Sequence, residues 1–262
     1  MRLLLSALLS LTCLLCSCFS YAAEAPLRFS IADSWSMPLV QIDGVQPTAG
    51  FLFDIMQSLA RQVGRPAEYH VLARMRVQSA LDRGEVDVRC YAAQSWVPNF
   101  SGDYTWSLPL MTQRNLLIST ADNAAPIRTD QLNEQMIGTV LGYTYPRLQP
   151  LLDNHQLQRE DARSQEQVLQ KLAAGRYHYA VADEWSLNWY NRQLPPDKQL
   201  RSVSIVEEQA VGCIVRNDPN LPVQTILRAL LRMKMSGEID QIIERYGTQA
   251  PLQPEQNSSA GR

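Results

Sequence analysis

The chain has 262 residues, of which 45% are hydrophobic and 19% charged, with a formal net charge of -2. This is an ordinary globular composition without the basic stripe that a nucleic-acid partner would need, so that class of partner is set aside. Three histidines far apart in sequence (His70, His155, His178) and no CxxC pair leave no zinc ligand set; no metal or cofactor is expected.

Arg2 followed by an apolar run over residues 3–16 has the charge and length of a secretory signal peptide, and the run is too short to span a bilayer comfortably. Cleavage after Ala22 puts Ser20 and Ala22 at the small-residue positions a signal peptidase reads, so residues 1–22 are expected to lie outside the fold. A rival reading takes Leu15, Cys16, Ser17 and Cys18 as a lipoprotein box with a lipid anchor on Cys18. On either reading the protein is expected in the periplasm. The roughly 240 residues that remain are close to the size at which one domain becomes two. Cys90 and Cys213 are the thiols left, in a compartment that permits disulfides.

Periodicity predicts a strand over 27–32, then a helix over 50–63 that puts Phe51, Ile55, Met56, Leu59 and Val63 on one face and stops at Gly64. A strand over 68–72, a short helix over 76–83 closed by Gly84 and a strand over 86–91 complete a βαβαβ order. Such alternation implies a parallel sheet covered by its crossover helices. Leu116, Leu117 and Ile118 suggest a strand leading out of this unit. The pattern restarts after Thr129, read as a helix N-cap, with a strand over 137–140, a glycine turn over 141–143 and a helix from Pro146. Ser164 and Gln167 form a capping box for a helix stopped by Gly175, with a strand over 177–181 and a helix over 184–192 beyond it. Two strands, 203–206 and 210–215, precede helices over 221–235 and 238–246. The tail, 248–262, ends in polar sequence without apolar periodicity and is expected to be disordered.

Taken in order, the segments LRFSIADSW, GFLFDIMQSLARQVG, ALDRGEVDV, IGTVLGYTY, VLQKLAAGRYHYAVAD and SGEIDQIIERYG resemble the type-two periplasmic solute-binding proteins of the amino-acid class, family 3. The resemblance implies an α/β fold of two Rossmann-like lobes joined by two extended crossings, expected near 119–125 and 206–210. Lobe one would comprise 24–118 and 210–247, and lobe two 122–206. A hinged cleft between such lobes can strip water from a polar ligand and still leave it a way in. The resemblance further implies a monomer that hands a small polar ligand to an ABC permease or a membrane sensor.

Ligands of open α/β sheets sit beyond the carboxyl ends of the strands, which selects the residues just after each strand. Trp35 follows the first and offers stacking area and one N–H donor. Arg76 matches an arginine that relatives carry in a Trp-x-Arg motif, with Arg74 standing where the Trp would be. The third strand ends in Tyr91, with Gln94 and Trp96 beyond it, where the family's Thr-x-x-Arg grips a ligand carboxylate. That clamp is missing here, and Arg76 or the in-strand Arg89 is the candidate substitute. In lobe two, Gly142, Tyr143 and Thr144 lie between strand and helix, where free backbone N–H groups suit an anion. Asp183 matches the family aspartate that pairs with the ligand's ammonium, and Glu184 and Trp185 flank the same mouth.

These features favour a binding protein for a small polar, amine-bearing molecule over an enzyme. Two alternatives stay open: an enzyme on the same fold resembling cyclohexadienyl dehydratase, with Glu184 or Asp183 as its acid, and a periplasmic sensory or interaction protein. The resemblance also sets the strands of Cys90 and Cys213 side by side, so the pair forms either a disulfide or two buried thiols.

Overall fold

The computed structural model describes residues 24–97, 102–132 and 134–247. The leader over 1–22, the lipid anchor at Cys18 and the tail over 248–262 lie outside the described residues.

The first half opens with β1 (Leu27–Ala32), a small hairpin of β2 (Gln41–Asp43) and β3 (Gln46–Ala49), and helix α1 (Phe51–Val63). Helix α1 buries Phe51, Leu52, Ile55, Met56 and Leu59 and ends at Gly64, whose left-handed φ of 79° lets its N–H reach back to the last turn. Gly50 has φ 115°, and a Cβ there would lie 2.3 Å from the Leu39 carbonyl oxygen, so only glycine fits at the start of this helix. Strand β4 (Ala67–Leu72), the short α2 (Val77–Asp82) and β5 (Val88–Ala92) follow, with β1 parallel to both β4 and β5. The hairpin of β2 and β3 has no counterpart in the periodicity, because its short polar strands bury little apolar surface.

The second half contains β8 (Gln135–Val140), α3 (Gln149–Asp153), β9 (Leu157–Ala162), α4 (Gln165–Ala173), β10 (Tyr179–Asp183) and α5 (Glu184–Asn191). Ser164 caps α4 by accepting from Gln167 N at 3.3 Å. Thr129 does not cap a helix; it begins a single 3-10 turn whose preceding residue is Arg128. Helix α3 starts three residues later than Pro146, since residues 146–148 form a turn instead. Strand β9, LQREDA, was not legible because an edge strand held by parallel pairing to β8 needs no apolar alternation.

Strands β6 (Tyr104–Trp106), β7 (Met111–Ser119) and β11 (Arg201–Arg216), with helices α6 (Val223–Met235) and α7 (Glu238–Arg245), complete the described fold. One sheet runs β4-β1-β5-β11-β7-β10-β8-β9, with β6 also beside β11. The two strands expected over 203–206 and 210–215 are one continuous β11 with two register irregularities against β7. Residues 212–215 pair with β5, while 201–211 pair antiparallel with β7. In β7, residues 115–118 already pair with β10. β11 therefore joins β5 and β6 to β7, and β7 joins β11 to β10 through residues 115–118.

Asp87 ties the strands of the first half together. Its carboxylate is 1% exposed and accepts from Arg28 N at 3.1 Å, Arg28 Nε at 3.0 Å and Arg216 Nη2 at 3.0 Å. Burial alone would raise this carboxyl, but the bonds from Arg28 and Arg216 outweigh it and hold its pKa below the ordinary 3.8. Cys90 and Cys213, paired across β5 and β11, form a disulfide that closes a loop spanning 123 positions.

Two predictions follow from these ties. Protein without residues 1–22, denatured and unreduced, should show no reactive thiol, and two after reduction. Replacing both cysteines with alanine should lower stability by up to the ~4–5 kcal/mol of a chain-entropy estimate, measured by denaturant unfolding. Because Asp87 titrates lower when folded than when unfolded, its stabilisation is full above about pH 4 and is lost as pH falls through its folded pKa. Acid unfolding of Asp87→Asn should therefore lack that part of the pH dependence, and its stability at pH 7 should drop by no more than the ~3–5 kcal/mol of a broken buried pair.

Candidate functional site

A cavity of about 50 Å³ lies between the two halves. Its first-half wall comes from the ends of β1 and β5 and the turns after β1, β4 and β5: Ser30, Trp35, Arg74, Arg89, Tyr91 and Trp96. Gln113 and Asn115 of β7 form its floor, and Tyr143, Thr144, Gln165 and Asp183 close it from the second half.

Three aromatic rings make one side. Trp35 meets Tyr91 edge-on with centroids 6.0 Å apart, and Tyr91 lies 5.8 Å from Trp96. Tyr91 has φ 59°, a left-handed conformation that an aromatic residue adopts only under constraint, and such strain gathers at functional sites. Its neighbour Cys90 is held by the disulfide, and Trp185 of α5 packs 6.0 Å from its ring.

Two opposite charges face the cavity from opposite halves. Arg89 is 4% exposed, and its Nη1 donates to Gln78 Oε1 at 2.6 Å. No acidic side chain forms an ion pair with it among the described residues; Asp82 is reached through Gln78, whose Nε2 donates to Asp82 Oδ1 at 2.7 Å. Burial, together with the nearby Arg74 charge, presses the Arg89 pKa down to about 9. Asp183 is 6% exposed and caps α5, accepting from Ser186 N at 2.8 Å and from Ser186 Oγ at 2.7 Å. Burial raises its pKa above the usual carboxylate range despite these bonds, and no cationic side chain pairs with it among the described residues.

The halves also touch around the cavity. Ser34 Oγ donates to Tyr143 Oη at 3.4 Å, and the Arg74 guanidinium lies 5.6 Å from the centre of the Tyr143 ring. Burial pushes the Tyr143 hydroxyl up to about 12, so it stays protonated. Three buried polar atoms on the cavity wall, Ser30 Oγ, Trp96 Nε1 and Gln113 Oε1, have no hydrogen-bond partner among the described residues. Groups left in this state carry a desolvation cost that a polar occupant removes.

Of the residues singled out from sequence, Trp35, Tyr91, Trp96, Tyr143, Thr144 and Asp183 line this cavity, as does Arg89. Arg76 does not: it is exposed at the start of α2, and Arg74, two residues earlier in the turn, takes the place at the wall. Gln94 is exposed in the turn after β5. Gly142 sits at the rim, where an added Cβ would come 2.8 Å from Met75 Sδ, so its contribution is to let the halves approach. The expected helix N-terminus at this loop is absent, because α3 begins only at Gln149. Glu184 binds Arg114 Nη1 at 3.3 Å and does not line the cavity. Ser30, Gln113, Asn115 and Gln165 were not anticipated. A signal for two of them existed in TQRN, where Gln113 and Asn115 recur at a spacing of two and so share one face of a strand.

Comparisons with known proteins agree on the fold. The chain aligns, at 20% identity and a TM-score of 0.69, with an ancestral arginine-binding protein bound to arginine, over 86% of this chain and 99% of that one. The GluR0 ligand-binding core in complex with L-glutamate matches at 18% identity and a TM-score of 0.70, over 85% and 98% of the two chains. An ancestral amino-acid-binding protein, AncCDT-1, a precursor of cyclohexadienyl dehydratase, matches at 19% identity and 0.69, over 84% and 95%. Among curated proteins no sequence matches. No helix among the described residues is long and apolar enough to cross a membrane. Residues 29–249 match the bacterial extracellular solute-binding proteins, family 3, and the chain belongs to that family.

Proposed function

We propose that this protein captures a small zwitterion, an amino acid or a close relative, between two lobes that hinge on β7 and β11, and presents it in the periplasm to an ABC importer or a membrane sensor. The lobes divide near 111–115 and 207–211. The observation that carries the reading is the pair of buried, unpaired charges facing one cavity, Arg89 from the first half and Asp183 from the second. Burying an isolated charge is costly unless it gains an opposite partner. A ligand with a carboxylate and an ammonium supplies both partners at once and is held by both lobes, which favours the closed form. Trp35, Tyr91 and Trp96 shape the apolar side, and Ser30 and Thr144 add hydroxyls on either wall. The ligands named for the structural neighbours, arginine and L-glutamate, are of this zwitterionic class.

A thermal-shift screen of amino acids, polyamines, short peptides and organic acids tests the reading, since a ligand bound only by the folded state raises the melting temperature. Amino acids should give the shifts, and a screen without any amino-acid hit would overturn it. Asp183→Asn retains an N-cap of equal quality and removes the charge, so it should keep the unliganded melting temperature while losing ~2–5 kcal/mol of binding by calorimetry. Arg89→Met should lose binding in the same range.

One observation favours a second reading. The Asp183 carboxyl is raised by burial inside the cavity, the condition a general acid requires, and a neighbour in fold is a precursor of cyclohexadienyl dehydratase. Incubation with prephenate or arogenate should leave both unchanged on the binding reading; product absorbance that grows with enzyme and disappears in Asp183→Asn would establish the catalytic one.

A further inference from the structure

Behind the cavity, three buried polar side chains form a chain across β7 and β11. Asn115 Nδ2 donates to Glu207 Oε1 at 2.8 Å, and Gln113 Nε2 donates to Asn115 Oδ1 at 2.6 Å. All three side chains are buried, and Glu207 sits opposite Asn115 in the strand register.

The direction of this chain follows from its end member. Glu207 Oε1 takes the accepting role toward Asn115, and a primary amide has one accepting and one donating end. Glu207 therefore turns the Asn115 amide so that its NH2 faces β11 and its oxygen faces Gln113. The same rule turns the Gln113 amide so that its NH2 faces Asn115 and Oε1 is left over. That Oε1 is one of the unpartnered atoms of the cavity wall. The second Glu207 oxygen is buried without a partner as well, and no cation pairs with this carboxylate among the described residues.

We propose that Glu207 is a specificity-determining positioning residue: by fixing the direction of the Gln113–Asn115–Glu207 relay, it makes the cavity floor present an acceptor to the ligand's ammonium group. This rests on the zwitterion reading above. Asp183 lies opposite Asn115 on the other neighbouring strand, so the acceptor and the carboxylate serve the same end of the ligand. With a neutral amide at position 207 the relay loses its fixed sense, because a glutamine there can donate as well as accept. The Gln113 amide is then free to present its NH2 to the cavity, which a ligand ammonium cannot use.

The test is calorimetry on the protein without residues 1–22, titrated with the twenty standard amino acids, in wild type, Glu207→Gln, Gln113→Met and the double variant. For the amino acid that the wild type binds most tightly, Glu207→Gln and Gln113→Met should each bind about tenfold more weakly. The double variant should be no weaker than Gln113→Met alone, because Glu207 acts through Gln113. Should Glu207→Gln fail to fold, Asn115→Leu cuts the relay at its centre and carries the same expectation. Unchanged affinity in Glu207→Gln, or losses that add in the double variant as two independent structural defects would, overturns the relay while leaving the zwitterion reading in place. A wild type that binds no amino acid overturns both.

Discussion

The antiparallel ladder between β7 and β11 is the constraint from which the rest of the molecule takes its geometry. One end of β11 belongs to the sheet of the first half, where Cys213 is bonded to Cys90 of β5, and the other runs along β7 into the second half. Because β7 is paired on its opposite edge with β10, the position of Asp183 relative to β7 and β11 is fixed through hydrogen bonds across three strands. Two halves connected by extended ribbon can rotate with small changes in many backbone angles, while the side chains on the ribbon stay in register. The polar residues on the cavity-facing side of that ribbon, Gln113 and Asn115, accordingly occupy a fixed floor beneath two walls.

Electrostatics give the floor and walls their chemistry. In the first half, Asp87 compensates two arginines, and that cluster acts as structure. Arg89, two residues along the same chain, is more buried than either of them and has only an amide for a direct partner among the described residues. The contrast matters because the cost of an unpaired buried charge is several kcal/mol, more than the net contribution of most single contacts. On the second wall, the Asp183 carboxylate has two hydrogen bonds from Ser186 yet no opposite charge among the described residues. The helix cap explains why the aspartate is tolerated in the interior; it does not discharge it.

The two halves meet at the rim through contacts of modest strength. The bond of Ser34 to Tyr143 is long, at 3.4 Å, and the Arg74 guanidinium rests over an aromatic face. Further out, Trp185 of α5 packs edge-on against Phe51 of the first half at 5.2 Å, and Arg192 reaches the Tyr246 carbonyl at 2.7 Å. Individually such contacts amount to about 0.5–1.5 kcal/mol. On the proposed binding reading, a closed form held by a few such contacts reopens to exchange its ligand, and a ligand that compensates two buried charges shifts the balance toward closure.

Much of the fold was legible in the sequence because local physics sets it. Apolar spacing in FLFDIMQSLARQV marks a helix face, and Gly64 ends that helix because few other residues adopt its backbone angle at low cost. Trp35, Tyr91 and Asp183 were readable as cavity residues because they follow strands, the end at which α/β sheets place their ligands. The edge strand β9 and the hairpin of β2 and β3 escaped notice, since pairing partners rather than apolar alternation hold them. The unbroken course of β11 escaped as well, for the polar run Glu207, Glu208 and Gln209 looks like a crossing until β7 is beside it. Which arginine faces the cavity was decided only by tertiary structure: Arg74 and Arg76 share a turn, and the angle at which that turn meets the sheet points one inward and the other to solvent. The sequence by itself determined the lobes' elements and the chemistry available at their strand ends. Bringing Arg89, Asp183 and Gln113 around one space took long-range strand pairing, because residues more than twenty positions apart have no local interaction to place them.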